Sequence, residues 1–452
     1  MTEAGLDSPA IAFSPERRTA VLFVGAGTAG AYHAGVVRAL RESGLRIDLA
    51  AGQGAGALTA LCLALDSADR VWTADSPWSA PTMARTYGWR RSLKVTGWAF
   101  GLSLALVTAP LFAMVLGLVV YPLAFLAGLI GLHGEALVTA YLAVATRAFA
   151  PDALPTWLPR LVLLLLAAAT LGLGVAALVE RRPRPTAQGR WWWRLVPAPI
   201  DGSVAIRAAW RLLWQVVRGA DAARLPSAAT ISARVASLWS ENRQMLGFCA
   251  WCAVTHDVDA GRDLVASLDA ELDAEGAHVG PGAVADVVAA ALSPAGLVAP
   301  HAVSFGVSSA WPGETHRLCD RPETIATLFR AVVARGVEQV VLVSPAASAS
   351  GPHQLTPPPL DPRDQWSERT RAAESAAVAG LLESRVAGGP SLFVIRPAHN
   401  PVGPFAVGGA NDARSRRWCS VEDLVTLGYD NAWRQFLHPM HATPALTSDD
   451  RW

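Results

Sequence analysis

Two Gly-rich turns near the N-terminus hold the residues most able to organise chemistry. The second of them, Gly52-Gln53-Gly54-Ala55-Gly56 in "DLAAGQGAGALTA", has the spacing of Gly-x-Ser-x-Gly. That pattern marks a sharp strand-to-helix elbow with an exposed serine nucleophile at its apex. Here the apex is Gly54, which has no side chain and cannot form an acyl-enzyme. The first turn is Gly25-Ala26-Gly27-Thr28-Ala29-Gly30. Backbone N–H groups in such a turn, at a helix N-terminus, stabilise an anion. Read alone it also fits G-x-G-x-x-G with Asp48 about 20 residues on, the pattern of a dinucleotide site. A close-packed turn without a ligand is a further reading of the same residues. Thr59 is no substitute nucleophile, because it lies inside the helix after the elbow. Ser308 and Ser309 lack a strained elbow of their own.

The elements that must position these turns are short and apolar. Strands are expected over Thr19–Val24 and Ile47–Ala51, with a helix over Ala31–Arg41. Further on, "MLGFCAWCAVTHDVDAGRDLV" reads as a strand and a turn. "AVADVVAAALSPAGLVAPHAV" reads as a helix running into a loop, and a helix precedes a strand over Gln339–Ser344. Residues 345–366 read as loop, Ala372–Leu382 as helix, Ser391–Arg396 as strand and Val421–Leu437 as a closing helix. Alternating strands and helices predict one α/β domain with a mostly parallel central sheet.

Charged residues make up 17% of the 452, against a usual ~25%, and the formal net charge is +1. Nothing points to nucleic acid as a partner. Val95 to Leu132 contains no charged side chain, and Leu161 to Val179 is a second apolar run. The first is too long for one straight span of a ~30 Å hydrocarbon core, so Pro110 and Pro122 are the expected break points. Ala136–Thr146 reads as a short interfacial helix. Arg85, Arg90, Arg91 and Lys94 flank one side, and Arg181, Arg182, Arg184, Arg190 and Arg194 the other. The positive-inside rule then puts both flanks in the cytoplasm, with two crossings, or four if the first run is a hairpin. Trp191-Trp192-Trp193 suits an interfacial anchor. The expected layout is a soluble part over 1–94 and 240–452, a transmembrane insertion over 95–180 and a juxtamembrane connector over 181–239. The expected location is the cell's inner membrane, multi-pass.

Five scattered cysteines make no disulfide framework, and Cys249-Ala-Trp-Cys252 lies in an apolar run. The histidines lack ligand spacing, including His438 and His441 around Pro439. No metal and no cofactor are expected.

Taken together, "GAGTAGAYHAGVVRAL", "DLAAGQGAGALTAL", "THDVDAG", "ALSPAGLVAP" and "FVIRPAHNPVGPF" through "LVTLGYDNAWRQFL" resemble the patatin-like phospholipase family. The resemblance covers most of residues 18–95 and 240–440. It implies a three-layer α/β sandwich, here interrupted by the helical insertion, and a Ser–Asp dyad acting on acyl esters. Gly25, Ala26, Gly27, Thr28 and Gly30 would form the oxyanion loop, with Ala29 where the family has an arginine. Gly52, Gln53, Gly54, Ala55 and Gly56 would form the elbow. The base is expected in an Asp-Gly-Gly or Asp-Gly-Ala, and neither occurs in "SSAWPGETHRLCDRPE". Glu314 and Asp320 are the nearest candidates, and Asp201-Gly202-Ser203 reads as a turn. Both halves of the dyad are therefore expected to be degenerate. The implied function is a pseudoenzyme that binds a membrane lipid or fatty-acyl group, or a scaffold for a membrane partner. Two alternatives stay open: an active esterase with a non-standard nucleophile, and a nucleotide-binding oxidoreductase resting on Gly25, Gly27, Gly30 and Asp48.

Overall fold

The computed structural model describes residues 13–73, 75–150, 158–179, 198–219, 224–269, 278–306, 311–347, 361–384, 389–398, 402–407, 410–412 and 417–442. The chain divides into two compact units, Met1–Gly88 with Ile200–Trp452, and Trp89–Pro199.

The first unit is built on a nine-stranded sheet. Strand β1 (Thr19–Phe23) leads into helix α1 (Ala29–Glu42), and β2 (Leu49–Gln53) into α2 (Gly56–Ala64). Every residue of both strands is buried. That is what a parallel strand covered on both faces requires, and it is why they read as continuous apolar runs.

The chain returns from the second unit, which holds α3 (Arg91–Leu129), α4 (Gly134–Ala148) and α5 (Leu158–Val179), to form helices α6 (Ser203–Arg218) and α7 (Ala228–Asn242). Strands β3 (Ala250–Asp257), β4 (Arg262–Ser267) and β5 (His278–Val279) follow, then helix α8 (Val284–Ala291). After β6 (His301–Ser304) and β7 (Thr315–Cys319) come α9 (Ile325–Ala334) and β8 (Gln339–Val343). Helix α10 (Pro362–Glu383), β9 (Ser391–Ile395) and α11 (Val421–Ala432) complete the unit. The sheet order is β9-β8-β1-β2-β3-β4-β5, with β7 joining β3 and β6 pairing with β7. The pairings from β9 across to β3 are parallel, and β4 and β7 run antiparallel to β3. The observed fold is therefore α/β with a mostly parallel central sheet flanked by helices.

Alternation along β1 sends Val21 and Phe23 into one core layer, and Ala20 and Leu22 into the other. The first layer takes in α1, α2, α8 and α11. The second takes in Ile325, Leu328 and Val332 of α9 with Val378 and Leu381 of α10. Helices α1 and α11 meet at two glycines. A Cβ at Gly35 would lie 1.9 Å from the Val425 carbonyl oxygen, and one at Gly428 would lie 2.2 Å from that of Tyr32.

Helix α10 begins ten residues earlier than the sequence pattern suggests. Asp361 caps it through the Arg363 N–H, and Pro362 occupies its first turn. The segment read as a connector, 181–239, contains α6 and most of α7. Helix α6 packs on the core through Ala209, Leu212 and Leu213, and the Trp210 indole N–H donates to the Ala285 carbonyl. Asp201 accepts the Ser203 N–H at 2.9 Å, so Asp-Gly-Ser is a turn that starts α6.

The second unit holds α3 (Arg91–Leu129), α4 (Gly134–Ala148) and α5 (Leu158–Val179). The expected breaks at Pro110 and Pro122 do not occur: α3 runs through both as one helix of 39 residues. A proline removes one N–H donor. A helix tolerates that when its neighbours support it, and α4 packs on α3 with Tyr141 against Tyr121 and Gly117. Two stretches of α3, Arg91–Ala109 and Leu111–Leu129, are long and apolar enough to cross a membrane, and α5 is apolar over Pro159–Val175. Arg181 to Arg194 and Trp191-Trp192-Trp193 lie outside the described residues.

Candidate functional site

Both Gly-rich turns sit at the carboxyl ends of parallel strands, where open α/β sheets place their sites. Gly25 lies two residues past β1 with φ +126° and Gly27 follows with φ +56°, conformations that favour glycine. A Cβ at Gly27 would lie 1.9 Å from the Pro404 carbonyl oxygen, and one at Gly30 would lie 2.3 Å from the Trp78 ring. The Thr28 N–H donates to Pro404 O at 2.9 Å and its hydroxyl to Gly403 O at 3.0 Å. The buried His33 ring meets the Val24 carbonyl at 3.0 Å, and burial pulls its pKa down to about 3, so it is neutral and donates there. Ala29, where the family pattern has an arginine, is buried.

The second turn has the left-handed apex of an elbow: Gly54 has φ +61°. A side chain at this position would begin 3.0 Å from Asp320 Oδ2. The same Cβ would lie only 2.5 Å from the Gly25 carbonyl oxygen. That carbonyl already accepts the Ala55 N–H at 2.8 Å. The loop has thus closed over the space a nucleophile would need, and it has taken up the N–H that follows the apex.

Asp320 follows β7 directly. Its N–H donates to Ser293 O at 2.9 Å, and its carbonyl accepts the Ala295 N–H at 3.0 Å. Gln53, at the end of β2, donates its amide to Asp320 Oδ1 at 2.6 Å. One carboxylate oxygen is therefore held by Gln53 and the other faces Gly54. Of the two acids that the sequence offers for the base half, Asp320 is the one that stands buried beside the apex. Glu314 does not. It precedes β7, at the other end of a five-residue strand that separates the two acids by roughly 20 Å at ~3.3 Å per residue. Its carboxylate is exposed and pairs with His316 Nε2 at 3.0 Å.

A second buried carboxyl is not legible in the sequence. Glu374 of α10 accepts the Ala26 N–H on Oε1 at 2.7 Å, so an internal side chain occupies the anion position of the first turn. Burial first, and a neighbouring carboxylate second, hold Asp320 up at about 7 and Glu374 up at about 8, against the hydrogen bonds from Gln53 and Ala26 that lower them. Arg371, one turn earlier on α10, lines a cavity of only about 10 Å³ with Ala26, Thr28, Ala29 and Glu374. That is room for one water, not an acyl chain. The only advance signal for Glu374 is the helix start at Asp361-Pro362; nothing local says that this acid reaches Ala26.

The nucleotide reading fails on topology. Asp48 precedes β2 and accepts the Thr19 N–H at 2.9 Å, at the amino end of β1. Gly25 lies beyond the other end of that strand, so the acid and the glycines are on opposite edges of the sheet. Cys249 and Cys252 are buried, their thiols pushed up to about 12 and about 11 by burial, which leaves them unreactive. Thr59 is buried in α2. Ser308 and Ser309 lie outside the described residues. Among the described residues no group of three metal-ligating side chains occurs.

The patatin-like phospholipase family model matches residues 21–153. The match takes in both Gly-rich turns and continues through α3 and α4, while the later segments, 240–440, fall outside it. Among solved structures, VipD from Legionella pneumophila is similar at 12% identity with a TM-score of 0.33, over 95% of this chain and 67% of that one. Similarity at that level bears on neither fold nor chemistry. No curated protein matches the chain.

Proposed function

We propose that the protein is a membrane-anchored, catalytically silent relative of the patatin-like phospholipases that works as a scaffold at the bilayer. One observation carries the reading: at the apex of the elbow stands Gly54, and the Gly25 carbonyl oxygen lies 2.5 Å from where a serine Cβ would be, while the carboxyl of Asp320 remains beside it. A carboxylate base without a nucleophile performs no acyl transfer, and removal of the nucleophile alone leaves on the order of 10³-fold over water in the protease example. The Glu374 carboxyl in the first turn supports a scaffold over a lipid held in the turn, since a fatty-acyl carbonyl would have to displace it. The apolar stretches of α3 support anchoring in a bilayer, with the α/β unit on the cytoplasmic side by the arginine flanks.

The test is turnover of a short-chain p-nitrophenyl ester by the parent, by Gly54→Ser, and by Gly54→Ser with Glu374→Ala. The parent and the single variant are expected to be silent. The double variant, with Ala26 released and Gly25 free to shift, is expected to gain measurable turnover with Asp320 as base. Turnover by the parent protein would overturn the reading.

A further inference from the structure

Helix α6 has two opposite faces. Ala205, Ala209, Leu212 and Leu213 are buried against the core. Arg207, Arg211 and Arg218 fall within a sector of roughly 60° on the other side, at 3.6 residues per turn, together with Trp214, which is half-buried and packs at the edge of the core. All three arginines are exposed, and among the described residues none of them makes an ion pair. The Arg218 guanidinium stands 5.5 Å over the Trp214 ring.

A solvated face looks different in this molecule. The first turns of α10 mix signs, with Arg363, Asp364, Glu368 and Arg369 in succession. Alternating charge of that kind supports a helix surface by itself. By contrast, residues 203–243, which span α6 and α7, carry six arginines against two carboxylates, in a chain whose net charge is +1. A single-sign stripe repels itself unless something anionic lies across it. Arginine forks suit phosphate oxygens, and tryptophan suits the headgroup level of a bilayer. Helix α6 also begins within three residues of Ile200, where the chain re-enters the first unit.

We propose that the Arg207–Arg211–Trp214–Arg218 face docks on the anionic phospholipid headgroups of a bilayer. The proposal rests on the membrane reading above and adds the surface and the lipid class. It is tested on the full chain in mild non-ionic detergent by native mass spectrometry, titrating phosphatidylglycerol against phosphatidylcholine of equal chain length. The parent is expected to retain phosphatidylglycerol preferentially, with the preference shrinking as salt rises. An Arg207→Gln, Arg211→Gln, Arg218→Gln variant is expected to lose at least ~10-fold of that preference with an unchanged melting temperature. A preference within about twofold of the parent's would overturn the proposal and leave the face to an acidic protein partner. Should the variant not fold, a parent preference insensitive to salt would overturn it equally. Extraction of the parent from membranes by alkaline carbonate would instead end the membrane reading itself. An integral protein with an unchanged lipid preference in the variant ends this proposal alone.

Discussion

The two Gly-rich turns share one construction and differ in what fills them. Each follows a buried parallel strand, opens a helix and passes through a left-handed glycine. The first turn keeps its backbone donors but has them occupied from within, by Glu374 on Ala26 and by the Pro404 carbonyl on Thr28. The second keeps its shape and its neighbouring acid but has no side chain at the apex. The difference separates architecture from chemistry. The strand–turn–helix architecture is present twice, the second apex carries no reacting atom, and the donors of the first turn are met from within the chain.

Substitution of the first turn's glycine should have the largest effect. Gly27→Ala forces a methyl group onto the Pro404 carbonyl in a positive-φ backbone, and is expected to cost ~4 kcal/mol or to prevent folding. Thermal unfolding of the purified protein reads this. An equal loss for Gly54→Ala would break the comparison. For that variant about 2 kcal/mol is expected, from left-handed strain and the approach to the Gly25 carbonyl.

Between these two lies the pH dependence. Asp320 and Glu374 have folded pKa values of about 7 and about 8, raised above their ordinary values. The folded state therefore binds more protons than the unfolded state between about pH 4 and pH 8. The contribution of these two groups to stability is greatest below that window and falls as pH rises through it, by on the order of a few kcal/mol. Glu374→Gln keeps an oxygen for the Ala26 N–H and removes one titration. A melting temperature followed from pH 5 to 8.5 is expected to fall for the parent and to fall less for the variant. Parallel curves would detach Glu374 from the first turn's energetics. The smallest effect is expected for Thr28→Val, ~1 kcal/mol for one hydroxyl bond to Gly403.

What the sequence could disclose follows the range of the interactions involved. The strands and turns from Thr19 to Ala64 are readable because apolar runs and glycines act within a few residues. Asp320 is only one of two candidates in the sequence, because its position depends on hydrogen bonds to Ser293 and Ala295 rather than on an Asp-Gly-Gly motif. Glu374 acts across 348 residues of chain, and no periodicity encodes that. The helix α3 passes through Pro110 and Pro122 although local propensity argues for a break at each, and a helix tolerates a proline where its surroundings meet the freed backbone groups. The arginine face of α6 is hidden inside a segment that reads as a connector, although its arginines recur at helical spacing.

The central claim is that no nucleophile is presented at this site. The most direct measurement is labelling of the full-length parent protein by a fluorophosphonate probe, with the modified residue located by peptide mass spectrometry. No label above that on heat-denatured protein is expected. In the Gly54→Ser, Glu374→Ala variant, label is expected on the serine introduced at the elbow apex. Stoichiometric label on any residue of the native parent would contradict the central claim, and that residue would then be the nucleophile.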